Sequence, residues 1–417
     1  MNHSIERNTS MNRRTFLKSI ALASGATVIG LPCAQAALPK AKITRICIYT
    51  PPKLNPLFNQ SNMVVTIETD AGITGVGEGG SKGTLEQCAG RLIGRNPFDI
   101  ERCWQDMYRA IFYPPGREKI HALGALDLAL WDIKGKALGV PVYDLLGGMA
   151  RNYCECYAAG GGTGAQLRER ARAVIESGYR AFRMDAAGLS RGDTTYNTHE
   201  RVRQLAQDCK DVREGVGKNG DWLIDLHQRF DFSDAMRACK LIEELEPYLV
   251  EDPVRTEAFL EDIPKLRKLT TVPLAAGEEW GQRWDFNKLV EAHDLDYVRV
   301  TLPNVGGITE MVKVAALCET HFVGIVPHFT GPISTAALVH ALGPFSGPLM
   351  VEIGGNAKPF SHLPECLDFK NGKLWPNDRP GLGVTLEMSQ IQQIAEFTEP
   401  GTGRVTYQRP DGSQTNW

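Results

Sequence analysis

Three carboxylates recur at a regular interval in the middle of the chain. Asp225, Glu251 and Glu278 each close a short apolar run, and they lie 26 and 27 residues apart. Like charges gathered in one pocket repel one another, so they need a cation or protons. An all-oxygen ligand set suits a hard divalent ion, with Mg²⁺ first. A carboxylate can instead cap the helix that follows its strand. Three carboxylates at a regular spacing favour a metal site, with one Mg²⁺ ion per subunit.

Two histidines accompany these carboxylates. His227 lies two residues after Asp225, on the same face of the strand, and His328 closes a later run. Two histidines on opposing sides of a metal-bound substrate can serve as an acid and a base. A metal-bound carboxylate loses its α-proton more easily, because the enediolate charge falls on the ion. A single histidine is usually structural, whereas two beside three carboxylates indicate proton transfer.

Apolar runs present these residues at a constant period. From about residue 154, short apolar runs alternate with amphipathic helical stretches, and the polar residues that close six runs are 23 to 27 residues apart. They are Asp225, Glu251, Glu278, Thr301, His328 and Glu352. This period is that of the β/α unit of a barrel, whose carboxyl-terminal strand ends face one pocket. A doubly wound open sheet is the alternative, but it does not need a polar residue at nearly every strand end.

The chain before residue 154 has a different pattern. Residues 43–49, 63–69 and 75–78 are predicted strands, with a turn at 70–72. Residues 85–139 then show helical periodicity. Strands followed by helices predict a separate α+β block.

The composition is that of an ordinary globular protein. The chain has 417 residues, of which 42% are hydrophobic and 23% charged, and its net charge is −3. These values exclude a disordered, collagen-like or multi-span membrane protein. They also show no excess of basic residues of the kind that indicates binding to nucleic acid. Ten cysteines are too few for a disulfide scaffold. We expect Cys154 and Cys156 to be structural thiols rather than a metal site.

The first 36 residues resemble a twin-arginine export signal. Arg13 and Arg14 precede an apolar stretch from Ile20 to Leu31, and Ala34-Gln35-Ala36 is a small-x-small cleavage pattern. The alternative is a fortuitous arginine pair on an uncleaved anchor. Cleavage leaves 381 residues of net charge −6, because the leader carries four basic residues and one acidic one. The mature protein is then periplasmic or otherwise exported, with no membrane span.

Short motifs along the chain match those of a known superfamily in order. They are Ala129–Lys136, Asp225-Leu226-His227, Val250–Pro253, Ala276-Gly277-Glu278, Gly306–Thr309 and Pro380–Val384. Over about residues 42–417 the chain resembles the enolase superfamily in its mandelate racemase branch. Within that branch it is most similar to acid-sugar dehydratases of the galactonate and mannonate types.

The resemblance implies a fold and a metal site. The fold is an α/β barrel, a modified (β/α)7β TIM-like barrel with an α+β capping domain. Residues 37–153 would form the cap, 154–370 the catalytic barrel and 371–417 a segment that returns to the cap. Asp225, Glu251 and Glu278 would bind the Mg²⁺.

The resemblance also implies a hydro-lyase acting on a small anionic sugar acid. A base removes the proton α to the carboxylate, His227 protonates the departing β-hydroxyl, and a 2-keto-3-deoxy acid results. The base is His328, or Tyr196 assisted by Arg183. Thr301 stands where the galactonate type has an Asp beside its histidine, whereas the mannonate type also has a Thr there and uses a Tyr–Arg pair. A guanidinium beside Tyr196 would lower the pKa of the phenol.

Further contacts to the substrate are expected from the last strand and the cap. Glu352 would bind near the substrate carboxylate, Arg183 could clamp it, and Asn59, Tyr113 and Arg117 lie in cap segments that would close over the distal sugar. A racemase, epimerase or other lyase that uses the same enolate is the alternative, as is an exported sugar-acid binding protein without catalysis. Family members usually assemble as dimers to octamers, so we expect a homo-oligomer.

Overall fold

An antiparallel sheet is the first structure in the described part of the chain. The computed structural model describes residues 38–55, 61–110, 116–185, 195–255, 260–401 and 406–415, so the predicted leader lies outside them. Strands β1 (Ile43–Thr50), β2 (Val64–Thr69) and β3 (Thr74–Glu78) form the predicted antiparallel meander. Val64 pairs with Glu78, which places Glu78 at the end of the β2–β3 ladder.

Four helices follow this sheet. They are α1 (Lys82–Ala89), α2 (Ile100–Arg109), α3 (Arg117–Leu138) and the short α4 (Val142–Leu145). Helix α3 is buried over most of its length, and Leu123, Leu126, Leu130 and Ile133 lie in the core that it shares with the sheet. The helical periodicity predicted for this region is therefore confirmed, and sheet and helices together form the capping domain.

In the described residues, eight parallel strands form the second sheet of the fold. They are β4 (Cys154–Gly160), β5 (Ala181–Asp185), β6 (Asp221–Asp225), β7 (Leu249–Glu251), β8 (Leu274–Ala276), β9 (Tyr297–Val298), β10 (Gly324–Ile325) and β11 (Met350–Glu352). Neighbours in sequence pair in order from β4 to β10. The ring closes because Leu349 bridges Ile325 and because β11 pairs with β4. The predicted barrel is confirmed.

Helices follow seven of these strands. They are α5 (Gly164–Glu176), α6 (Thr198–Val216), α7 (Phe232–Ile242), α8 (Asp262–Arg267), α9 (Arg283–Glu291), the pair α10 (Leu302–Val305) and α11 (Ile308–Thr320), and α12 (Pro332–Leu342). In the described chain after β11, the next elements are a 3₁₀ turn and the hairpin β12 (Asp368–Lys370) and β13 (Lys373–Trp375). This is the (β/α)7β order.

The C-terminal segment contacts both layers. Strand β13 pairs with β4 of the barrel, and β14 (Gln392–Phe397) pairs with β1, so that it becomes an edge strand of the cap sheet. A final hairpin, β15 (Tyr407–Gln408) and β16 (Gln414–Thr415), lies beside α2. The domain boundaries proposed from the sequence stay a prediction.

The barrel interior is closed below its carboxyl-terminal end. Seven side chains, six from strands and one from the residue that follows β10, pack together there. They are Tyr157, Ala181, Leu223, Leu249, Ala275, Val326 and Met350. A barrel of this size is filled by side chains rather than hollow, so chemistry is confined to the strand ends above this layer.

Two further features bear on the composition. The nine cysteines of the described residues are buried free thiols, Cys154 and Cys156 among them, as expected of structural thiols. No helix in the described part of the chain is both long enough and apolar enough to cross a membrane.

A buried carboxylate on α3 makes stability depend on pH. Asp127 accepts hydrogen bonds from the Thr309 backbone N–H (3.0 Å) and hydroxyl (2.5 Å). Burial raises the pKa of Asp127 to about 7, against the opposing effect of these hydrogen bonds. The folded protein therefore keeps this proton to higher pH than the unfolded chain does, and stability falls as pH rises from about 4 to about 7.

We expect D127N to remove most of this loss. The amide can accept from the Thr309 N–H and donate to its hydroxyl oxygen without becoming charged. Relative to the wild type, the free energy of unfolding of D127N should rise by roughly 2 to 3 kcal/mol between pH 5 and pH 8. Denaturant unfolding at both values measures it, with the exposed Asp99 as D99N control. An equal pH slope in D127N and wild type would refute the assignment.

Candidate active site

Three predicted carboxylates meet at the carboxyl-terminal end of the barrel. Asp225 and Glu251 are the last residues of β6 and β7, and the ladder pairs them directly. Glu278 lies two residues beyond β8. All three side chains are buried. Their convergence follows from the constant strand period, because parallel neighbours end at the same edge of the sheet.

Two guanidinium groups lie between these carboxylates. The Arg183 Nη1 is 3.6 Å from the Asp225 Oδ2 and 3.0 Å from the Glu251 Oε2. The Arg299 Nε is 2.6 Å from the Glu251 Oε1, and its Nη2 is 3.7 Å from the Glu278 Oε2. Each arginine also contacts Glu352, at 3.2 Å for Arg183 and 2.7 Å for Arg299. The carboxylates are thus partly neutralised by the protein itself.

This neutralisation is uneven. Burial would raise the pKa of Glu251, but Arg299 and Arg183 together hold it below its usual value, and the same two arginines lower the pKa of Glu352. Asp225 and Glu278 have raised pKa values, because they are buried and face other carboxylates. Asp225 and Glu278 are the two ligand candidates that need additional positive charge.

The donor set fits a hard divalent cation. As they stand, no three His, Cys, Asp or Glu side chains of the described residues are grouped closely enough to hold a metal ion. Among the described residues, five buried carboxyl groups nevertheless lie around two guanidinium groups, those of Arg183 and Arg299. The five are Asp225, Glu251, Asp252, Glu278 and Glu352. An excess of buried negative charge attracts a cation, and oxygen ligands favour Mg²⁺.

The two predicted histidines flank Glu278. The Nε2 of His227 lies 3.8 Å from one carboxylate oxygen of Glu278, and the Nε2 of His328 lies 3.7 Å from the other. The His227 side chain is 47% exposed, whereas His328 is buried. The backbone N–H of His227 donates to the Asp225 Oδ1 at 2.7 Å, which fixes the start of this loop. One imidazole is therefore open to solvent and the other enclosed.

His328 has no carboxylate on its second nitrogen. Thr301 bridges His328 on the neighbouring strand, but the Thr301 hydroxyl donates to the Glu278 backbone carbonyl at 2.8 Å. Within the described part of the chain, the His328 Nδ1 is buried without a hydrogen-bond partner. Burial lowers the pKa of His328 to about 4. The imidazole is therefore neutral at pH 7, the form that can accept a proton.

The loops that follow β6 and β7 hold strained backbone. His227, Gln228 and Asp252 have φ values of +50°, +57° and +42°. Non-glycine residues in this region cost of order 1 to 3 kcal/mol each and concentrate at functional sites. The Gln228 N–H donates to the Asp252 carbonyl at 2.9 Å, which ties the two loops together.

The structure does not bring Tyr196 and Arg183 together as predicted. Arg183 is held by Asp225, Glu251 and Glu352. The Tyr196 hydroxyl is buried with no hydrogen-bond partner in the described chain. Burial raises the pKa of Tyr196, and the charges that oppose this are those of Arg201 and Arg229. The expectation of a lowered pKa is wrong for this arrangement, because the arginine faces the carboxylates.

The other predicted substrate contacts lie in different surroundings. Glu352 is buried, with one oxygen on each of Arg183 and Arg299. Arg117 is half-exposed at the start of α3, 3.7 Å from Glu279, the residue that follows Glu278. Asn59 and Tyr113 lie outside the described residues. Contact of these four residues with the substrate stays a prediction.

Sequence reasoning missed Arg299, Tyr157 and Asn304. Arg299 is fully buried, donates to the Tyr157 hydroxyl at 2.9 Å and to the Val326 carbonyl at 2.8 Å. Asn304 donates to the Glu278 carbonyl at 3.0 Å. A signal for Arg299 was available, because it is two residues before Thr301 and so points to the same face of the strand.

We expect R299M to be strongly destabilising. Removing this guanidinium leaves Glu251 and Glu352 with less compensation, and breaking a buried ion pair costs roughly 3 to 5 kcal/mol. R299K should recover part of this, because it keeps the charge but not the planar fork. Thermal and denaturant unfolding measure it, with R45M at the surface as the control, expected within about 1 kcal/mol of wild type. A loss for R299M no larger than for R45M would contradict the role of Arg299.

The barrel, its cap and the acidic strand ends define a class, the capped-barrel enzymes of the enolase superfamily. Residues 166–390 match the family model described as enolase C-terminal domain-like. Residues 53–147 match the N-terminal domain of the mandelate racemase/muconate lactonizing enzyme family. The two matches correspond to the barrel and to the cap.

Curated relatives align with this chain over nearly their whole length. The D-galactonate dehydratase of Verminephrobacter eiseniae is 32% identical over 395 residues, which cover 90% of this chain and 100% of the relative. That of Xanthomonas oryzae pv. oryzae (strain PXO99A) is 34% identical, with 85% and 96% covered. The chain belongs to the mandelate racemase/muconate lactonizing enzyme family, and it is a hydro-lyase.

Solved structures show the same fold. A member of the enolase superfamily from Salmonella Typhimurium aligns with a TM-score of 0.78 and 27% identity, over 86% of this chain and 100% of that one. An enolase from Agrobacterium radiobacter, solved with sodium and L-malate bound, aligns with a TM-score of 0.75 and 26% identity, over 89% and 99%.

Proposed function

We propose that the protein is a Mg²⁺-dependent sugar-acid dehydratase that forms a 2-keto-3-deoxy acid. The observation that carries this proposal is the placement of His227 and His328 against the two oxygens of Glu278. Two imidazoles on either side of one acidic strand end can carry out two proton transfers on one substrate. Dehydration needs both, since one proton leaves the α-carbon and one joins the departing β-hydroxyl.

Asp225, Glu251 and Glu278 are the residues that would hold the Mg²⁺. A bound Mg²⁺ would supply positive charge to the substrate carboxylate, where negative charge accumulates when the α-proton leaves. Arg183 contacts both Asp225 and Glu251, so a cation held by these two carboxylates would compete with its guanidinium. Arg299 is bound lower in the barrel, by Tyr157 and Val326, and keeps Glu251 aligned.

We assign the base to His328 and the acid to His227. His328 lies 3.7 Å from Glu278, at the strand ends, with its Nδ1 unpaired in the described chain. Burial raises the pKa of Tyr196, and in the described residues its hydroxyl has no hydrogen bond to Arg183 or to any other group. His227 is open to solvent and can be reprotonated between turnovers. Thr301 offers no carboxylate to His328, and the charges that favour its imidazolium are those of Glu352 and Glu251.

A screen of sugar acids tests the proposal. The purified protein with Mg²⁺ at neutral pH is given aldonates and uronate-derived acids, D-galactonate among them, and 2-keto acid is detected with semicarbazide. We expect turnover of at least one acid, and its loss after chelation. Deuterium entering recovered substrate from D₂O without 2-keto acid would indicate a racemase or epimerase instead. Metal-dependent binding of a sugar acid without turnover or exchange would indicate a binding protein.

We also propose that residues 1–36 direct export by the twin-arginine route. The paired arginines are the element that this route reads. Conversion of both to lysine, R13K with R14K, should retain the precursor in the cytoplasm, while the wild-type chain reaches the periplasm at its cleaved size. Equal export of the two forms would contradict the proposal.

A further inference from the structure

A carboxylate of the cap reaches into the barrel close to the loop that carries His328. Glu78 ends strand β3, and its Oε2 accepts a hydrogen bond from the Ser334 backbone N–H at 2.8 Å. Ser334 lies in the first turn of α12, and residues 326–331, which include His328, are the loop between β10 and this helix. The bond therefore joins residues 256 apart in sequence and belonging to the two layers of the fold.

Helix α12 depends on this external acceptor. Its N-cap is Gly331, which has no side chain to accept from the first turn, and the first helical residue is Pro332, which has no N–H. All eleven residues of α12 are buried, so water cannot satisfy the N–H groups of Ile333 and Ser334. The end of a buried helix without a partner would be costly, and Glu78 supplies the missing cap from another domain.

The loop leaves room for the carboxylate and for little else. A Cβ atom at position 331 would overlap the Glu78 carboxylate, so a larger residue there would displace this side chain from Ser334. Glu78 is fully buried, and among the described residues its Oε1 has no hydrogen-bond partner. One carboxylate oxygen of Glu78, Oε2, thus accepts from the first turn of α12. No cation of the described chain pairs with this carboxylate.

We propose that Glu78 is a positioning residue for His328, which rests on the proposed function of that histidine. One end of the loop is held by the barrel, through the bond from the His328 N–H to the Val300 carbonyl at 3.2 Å. The other end is held where the Ser334 N–H donates to Glu78, three residues beyond Gly331. Without Glu78 the imidazole remains in the site, but its orientation against the substrate is no longer set by the cap.

Three substitutions of Glu78 test this. E78M removes the acceptor and fills the space, E78D keeps the charge but is one methylene too short, and E78Q keeps an acceptor oxygen. We expect E78M and E78D to lower kcat roughly ten- to a hundredfold with KM changed less than about threefold, since a misplacement of about 1 Å can cost a hundredfold. E78Q should stay within about threefold of wild type. If E78M does not fold, E78D and E78Q still give opposite expectations.

A second cap carboxylate supplies the matched control. Asp132 on α3 is buried and accepts from the backbone N–H groups of Leu382 and Val76, away from the His328 loop, and it also pairs with Lys136 at 2.7 Å. D132L should lower the unfolding temperature as E78M does, but should leave kcat near wild type. In an H328N background, E78M should add no further loss, because positioning an absent group has no effect. Equal kcat losses in D132L and E78M, or full additivity with H328N, would overturn the proposal.

Hydrogen exchange separates this proposal from the proposed function. Peptides covering residues 328–342 should exchange faster in E78M than in wild type, and those in D132L should not. Faster exchange without turnover of any sugar acid would retain the positioning contact and reject the dehydratase. Unchanged exchange in E78M would reject the role of Glu78 whatever the activity.

Discussion

Replacing Glu278 by glutamine should lower kcat/KM by about a thousandfold or more and abolish stabilisation by Mg²⁺. Glu278, like Asp225, has no short guanidinium contact, since the Arg299 Nη2 is 3.7 Å from Glu278 and the Arg183 Nη1 is 3.6 Å from Asp225. It also carries both histidine contacts. E278Q keeps the shape but removes the charge on which cation binding and the environment of both imidazoles depend. Loss of several kcal/mol of transition-state stabilisation corresponds to this factor.

Two measurements check this expectation. Turnover gives kcat/KM, and calorimetric titration with Mg²⁺ alone gives the cation affinity without any substrate. The unfolding temperature of the wild type should rise with Mg²⁺ concentration, as for any ligand that binds only the folded state, and that of E278Q should not. E291Q, the same substitution on the exposed end of α9, is the control. Wild-type Mg²⁺ affinity in E278Q would reject Glu278 as a ligand.

Replacing the two histidines should separate the two proton transfers. H328N should lose both dehydration and exchange of the α-proton with D₂O, because no group remains to remove that proton. H227N should lose dehydration but keep the exchange, because only protonation of the β-hydroxyl is blocked. Removing a general acid or base costs typically 10²- to 10⁴-fold, and we expect losses of this order in product formation.

Deuterium incorporation by mass spectrometry, together with 2-keto acid formation, measures these rates. Y196F and H199N are the comparison variants, the first for the alternative base and the second for a histidine exposed on α6. Both should retain dehydration within a few fold of wild type. Exchange that persists in H328N and disappears in Y196F would transfer the base to Tyr196 and would require Arg183 to leave the carboxylates.

Periodicity predicted the fold and the acidic strand ends. The spacing of Asp225, Glu251 and Glu278 placed them on neighbouring strands, because one β/α unit occupies a nearly constant length of chain. The same period placed Thr301 beside His328, which the bridge between them confirms. These inferences succeeded because they rest on local repeats, and a repeat of strand and helix specifies which residues end at the same edge.

The pairing of charged groups did not follow from periodicity. Arg183 was expected beside Tyr196, but its guanidinium lies among three carboxylates. Arg299 was passed over, although it compensates Glu251 and Glu352. A long arginine side chain can reach several neighbours. Which of them it pairs with depends on the total charge and burial of the pocket rather than on sequence spacing.

By itself, the sequence determined the barrel, the acidic strand ends, the two histidines and the absence of a carboxylate at Thr301. Only the tertiary structure decided which cations face these carboxylates and that Glu78 caps α12 from the other domain. The physical reason is the distance along the chain over which each kind of interaction acts. Strand and helix periods are set by neighbours along the chain, whereas hydrogen bonds such as that of Glu78 with Ser334 form only after distant segments have been brought together and dehydrated.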